Sequence, residues 1–161
     1  MTKGFSAVLV AAACAVLAPP APCAEGTASY GQELAQVYGT YQAVLARREA
    51  CNEAVPQAKN VTEKSYAAWR NRNAKTIAEL DERLARMIRG ASKDDKEYAR
   101  NIGKYEGAML QQRTEAKRAL LGQSREELDA LCKSLPELMT SRDSDLESLY
   151  ADELKSIRSR R

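Results

Sequence analysis

Histidine does not occur in this chain, and that absence removes a wide range of chemistry. It excludes haem ligated by imidazole, the Glu-x-x-His pattern of di-iron bundles, zinc sites that need an imidazole, and any catalytic triad with a histidine base. No Cys-x-x-Cys occurs among the 4 cysteines, so neither a c-type haem attachment nor a thioredoxin-like redox pair is present. Phenylalanine occurs once, at Phe5, and tryptophan once, at Trp69. Alternating apolar runs and Asn-Gly or Asp-Gly hairpin dipeptides are lacking too, and with them the signals of β-strands. What the sequence does contain is helix-forming material, and the expected fold is all-α.

The first residues, MTKGFSAVLVAAACAVLAPPAPCAEG, place one lysine before an apolar run from Phe5 to Ala18 and follow it with a proline-rich exit of small residues. This is the tripartite form of a secretory signal, and the run is short for a membrane span. Residues 1–24 therefore read as a signal peptide and 25–161 as a single helical domain of about 137 residues. A lipid on Cys14 is the competing reading. The net charge of +3 falls to about +2 without Lys3, with both signs interspersed along the helices, as on solvated faces. The one basic cluster is the terminal KSIRSRR, expected to be frayed. The expected location is the bacterial periplasm or the exterior.

Apolar residues recur at threes and fours in each long segment. In the first, about Ala28 to Val55, the stripe is Tyr30, Leu34, Val37, Tyr41, Val44, Cys51 and Val55, with Arg48 in register and Pro56 as the stop. The second is read as one rod from Asn60 to Arg89 of about 28 residues or 42 Å. Its stripe is Tyr66, Trp69, Ile77, Leu80, Leu84 and Met87, with Asn73 in the gap. Asn60 with Glu63 has capping-box spacing, and Gly90 is placed to end the rod in a left-handed conformation. A third helix follows Ser92, carrying Tyr98, Ile102, Tyr105, Met109, Ala116 and Leu120, interrupted at Gln112 or Arg113 and ended by Gly122. A fourth opens on the capping box Ser124–Glu127, carries Leu128, Leu131, Cys132 and Leu135, and is broken or kinked at Pro136. Ser144 with Glu147 repeats the box before a fifth, terminal helix. The architecture expected is a four- to five-helix antiparallel bundle of long amphipathic helices.

Cys51 and Cys132 survive removal of the leader, and in an oxidising compartment such a pair is most simply a disulfide. With helices running up, down, up and down, Cys51 lies roughly 6 Å below the top of the first helix and Cys132 roughly 12 Å into the fourth. Both are stripe positions, so one inter-helix bridge is expected. The glycines at 31, 39, 103 and 107 lie at spacings of four beside Ala35, Ala43 and Ala99, a pattern that suits close helix approach or a dimer. Asp143, Asp145 and Glu147 imitate the start of a calcium loop but lack its glycine and its distal glutamate. No cofactor or metal is expected.

The segment AWRNRN, Ala68 to Asn73, set between Cys51 and Cys132, resembles small secreted proteobacterial helical proteins of uncharacterised function. More distantly it is similar to the LprI-type lysozyme-inhibitor family, in which a Trp–Arg segment follows a tyrosine-rich helix. The likeness covers residues 34 to 73, and that family's additional cysteines have no counterparts here. It implies inhibition of lysozyme as one function. The residues themselves point first to a non-enzymatic helical bundle that binds an unidentified periplasmic or extracellular protein. Its candidate contact residues are Tyr66, Trp69, Arg70, Arg72 and Asn73. A carboxylate enzyme using Glu79 and Glu82 with Glu126 or Glu127 is the third reading. Nucleic acid is not an expected partner, and membrane contact requires lipidation or a retained leader.

Overall fold

A computed structural model describes residues 25–160, so the signal peptide expected at residues 1–24 lies outside the described residues. These form α1 (Glu25–Ala54), α2 (Lys59–Arg72), α3 (Ala74–Gly90), α4 (Asp95–Leu121), α5 (Arg125–Thr140), α6 (Leu146–Leu149) and α7 (Ala151–Ser159), with single 3-10 turns at Pro56–Ala58 and Arg142–Ser144. No strand occurs among the described residues. The protein is an all-α bundle.

Its pairings fix the directions. Arg48 of α1 meets Glu63 of α2 and Tyr41 meets Trp69, so α2 descends beside a rising α1. Glu49 pairs with Arg113 and Glu53 with Lys117, so α4 rises parallel to α1. Cys51 is bonded to Cys132, Thr40 meets Tyr150, and Ser156 donates to Glu33, so the run from α5 to α7 descends again. The up-down-up-down order is the one expected for short links between neighbours. α1 is the shared element, packed against all the other long helices. Accordingly it buries Leu45, Ala46 and Ala50 as well as Leu34, Val37, Val44 and Cys51, more than a single stripe. The core adds Trp69, Leu80 and Leu84 from α2 and α3, and Leu128, Leu135, Met139, Leu154 and Ile157 from the last descending run. α4 buries no residue fully. Tyr98, Ile102 and Tyr105 are half-buried against α1 and α3, so α4 lies on the outside of a three-rod core.

Several expectations from sequence need correction. The rod from Asn60 to Arg89 is not continuous. It breaks at Asn73 (φ −92°, ψ 3°) and restarts as α3. Asparagine competes with the helix ladder through its own side chain, and here its Nδ2 donates to the Trp69 carbonyl at 2.9 Å. The box at Asn60 does not form either, because Glu63 is taken by both arms of Arg48 at 2.8 Å and by Asn52. No glycine among the described residues has positive φ, and Gly90 sits inside α3. The core takes Ile88, while Met87 is 37% exposed. α5 passes through Pro136. The box at Ser144 gives way to Asp145 as N-cap, with Glu147 accepting from Thr76 and Arg158. The terminal helix is anchored rather than frayed: Leu154 and Ile157 are buried, and Arg83 donates to the Ile157 carbonyl at 2.7 Å. Gly103 and Gly107 are open, with nothing within 4 Å of an added Cβ, so no close helix approach within the chain uses them. The box at Ser124–Glu127 and the Cys51–Cys132 bridge are present as expected.

Candidate functional site

The candidate contact residues gather where two interrupted rods face each other. α2 stops at Arg72 and α5 at Thr140, and because both runs descend, the breaks lie at one level. The break after α5 exposes backbone groups that a helix would have paired, and side chains at the end of α2 and at Asn73 satisfy them. Trp69 Nε1 donates to the Ser144 carbonyl at 2.9 Å. Arg72 donates to the carbonyls of Met139 and Ser141 at 2.7 and 3.2 Å and to Asp145 at 3.1 Å. The Asn73 carbonyl oxygen Oδ1 accepts the Leu146 amide at 2.8 Å. This is a structural clasp. Trp69 is 0% and Asn73 2% exposed, and Tyr66 is also buried, stacked 6.4 Å from Trp69 with the Arg48 guanidinium over its ring at 4.4 Å from the centroid. Of the five residues, Arg70 alone is both exposed and without an ion pair among the described residues.

The carboxylates proposed for catalysis are engaged separately. Glu79 accepts from Arg83 and Arg158, Glu82 pairs with Arg86, and Glu127 closes the cap of α5. Hydrogen bonding from Arg158 first, then Arg83, holds Glu79 below the usual carboxylate range, the opposite of what a general acid needs. Asp145 and Glu147 of the calcium-like segment are committed to Arg72 and Arg158.

A different arrangement arises where α4 rests on α1. Tyr38 and Gln42 of α1 and Tyr105, Glu106, Met109, Leu110 and Arg113 of α4 enclose a groove of about 170 Å³. Tyr38 and Tyr105 meet edge to face at 6.2 Å. A chain of rings continues inward from Tyr38 to Tyr41, Trp69 and Tyr66, connecting the groove with the clasp. Burial and then the negative charge of Asp81 raise the Tyr105 phenol to about 12, and the same causes raise Tyr38, whose hydroxyl bonds Asp81. Asp81 is exposed as a residue, yet partial burial of its carboxyl lifts it above its ordinary value. Both phenols thus keep their protons at neutral pH and present neutral walls. Arg113 pairs with Glu49 at 3.4 Å, which offsets its charge. Gln42 is only 7% exposed, and among the described residues its amide faces the groove rather than a protein partner, whereas Arg113 Nε is buried without a hydrogen bond. Leu110, at the mouth, is 54% exposed.

Sequence reasoning noted Arg113 as an interruption of the third stripe but passed over Gln42. The available signal was a polar residue one position from Tyr41 in an otherwise apolar stretch. Among the described residues no helix is long and apolar enough to cross a membrane, and no acidic or cysteine cluster is arranged to hold a metal. The chain matches no family model, no curated protein and no solved structure.

Proposed function

We propose that this is an exported protein, released from the leader at residues 1–24 into the periplasm or exterior, that acts by binding another protein rather than by catalysis. The observation that carries the reading is α4: a helix of 27 residues that buries no side chain fully and leaves Leu110 exposed beside an aromatic-walled groove. Exposed apolar surface rimmed by polar groups is how contact sites present themselves. Export is supported by the Cys51–Cys132 bond, since such bonds persist in oxidising compartments. The catalytic alternative is weakened because Glu79, Glu82 and Glu127 are each held by an arginine or a cap.

The test is a photo-crosslinking residue in place of Leu110 in the exporting cell. One discrete adduct is expected, and its protein, once purified, should bind the purified chain directly. A chain that gives no adduct at position 110 and remains in the cytoplasm with Met1 retained contradicts the proposal on both counts. Inhibition of lysozyme by the purified chain would identify the narrower inhibitor activity, which the Trp–Arg resemblance suggests.

A further inference from the structure

We propose that the groove between α1 and α4 is a socket for one neutral aromatic side chain with a polar tip, tyrosine or tryptophan, presented by a partner protein; this rests on the binding role proposed above and specifies its chemistry. Size sets the first limit. About 170 Å³ is close to the cavity of roughly 150 Å³ that holds a benzene ring and well below the roughly 300–1,000 Å³ of sites for whole small-molecule ligands. The walls set the second. Tyr38 and Tyr105 offer ring surfaces, with Met109 and Leu110 completing an apolar collar, and an aromatic guest gains from edge-to-face contact as well as from burial.

Gln42 supplies the polar requirement. Gln42 is 7% exposed and lines the groove, where its amide faces solvent with both a donor and an acceptor free of protein partners among the described residues. A phenol hydroxyl or an indole N–H would meet one of them. Charge argues for a neutral guest. Arg113 is already opposed by Glu49, the next basic residue along α4, Lys117, is paired with Glu53, and Glu106 stands at the rim. A carboxylate would find no cation in the groove that is not already opposed by an acidic partner. The surroundings favour a side chain on a polypeptide over a free molecule. Gly103, Gly107 and Leu110 share one face of α4, and the two glycines are open, so a partner's backbone can lie flat beside the socket.

The test titrates the isotope-labelled full chain with N-acetyl-tyrosinamide, N-acetyl-tryptophanamide, N-acetyl-phenylalaninamide and N-acetyl-leucinamide, reading the Gln42 side-chain amide and the backbone of α4 by NMR. Tyrosinamide and tryptophanamide should shift the Gln42 amide and residues 105–113 at millimolar concentration. Phenylalaninamide should bind roughly fivefold more weakly, the equivalent of one neutral hydrogen bond, and Gln42→Leu should abolish that preference while the fold persists. Absence of shifts in the groove, equal binding of the leucine compound, or a preference that survives Gln42→Leu overturns the socket. A second variant, Met109→Trp, fills the groove from within. Loss of the adduct at position 110 in that variant supports the proposal. An adduct that persists removes the socket while leaving the binding role in place, and probe binding in a chain that yields no adduct overturns the assignment to a partner's side chain.

Discussion

At the scale of single residues the clasp around Asn73 carries the most consequence. A helix break inside a bundle leaves amides and carbonyls without partners, and burying one unpaired costs about 1–3 kcal/mol. Asn73 bonds on both sides of the gap, donating to Trp69 and accepting from Leu146. Asn73→Ala leaves the Leu146 amide buried and unpaired, and urea unfolding should show a loss of about 1–3 kcal/mol. A loss under about 0.5 kcal/mol, the scale of ordinary surface substitutions, would show that the pairing is dispensable. Arg72 is open to a sharper comparison, because its planar head reaches two carbonyls and Asp145 together. Lysine keeps the charge but not the fork, so Arg72→Lys should still lose about 1–2 kcal/mol in the same measurement.

Among the elements, α4 and α7 behave in opposite ways. α4 carries Gly103 and Gly107 on a face with nothing near them, so their conformational freedom opposes helix formation without a compensating contact. Replacing both by alanine should raise stability by about 1–2 kcal/mol together, visible as a higher melting temperature. A decrease would mean that something covers this face in solution. α7 is short but held, with Arg158 reaching both Glu79 and Glu147. Its hydrogen bonds are the leading cause that holds both carboxyls below their ordinary value of 4.5. A lowered folded value means that the stabilisation is complete above the ordinary value and is lost as pH falls through the folded one. The melting temperature should stay level from neutral pH down to about 5 and then decline. Arg158→Gln should flatten that decline, and an unaltered acid profile would show that the network contributes nothing measurable. Glu147 is more than half exposed, so its share is the smaller.

The molecule as a whole is tied at one end by the disulfide and at the other by the α7 network. Cys51 and Cys132 stand 81 residues apart in sequence and join α1 to α5. Closing a loop of that length restricts the unfolded chain by up to about 4.5 kcal/mol in the chain-entropy account. Reduction should therefore lower the melting temperature by many degrees. Peptide mapping without reduction should recover residues 51 and 132 in one linked pair, and finding either as a free thiol would contradict the bridge. Because α1 is shared by every long neighbour, the loss on reduction should be cooperative rather than confined to α5. Hydrogen exchange that rises only in α5 would show otherwise.

What the sequence determined by itself was everything that depends on local spacing. The helical class follows from apolar recurrence at threes and fours. The start of α5 follows from Ser124 and Glu127, whose side chains and amides lie within one turn. The disulfide was legible because a cysteine's level on a rod can be counted, and Cys51 and Cys132 fall on core stripes at nearly the same height. The clasp and the groove were not legible, for a common reason. Asn73 has the same neighbours in sequence whether its helix continues or breaks, and the break persists because a second break, reached some 70 residues later, offers Leu146 and Ser144 as partners. Likewise, nothing local distinguishes a glutamine on a solvated face from Gln42, which α4 covers. Hydrogen bonding and burial between rods depend on which rods become neighbours, and only the packed structure decides that.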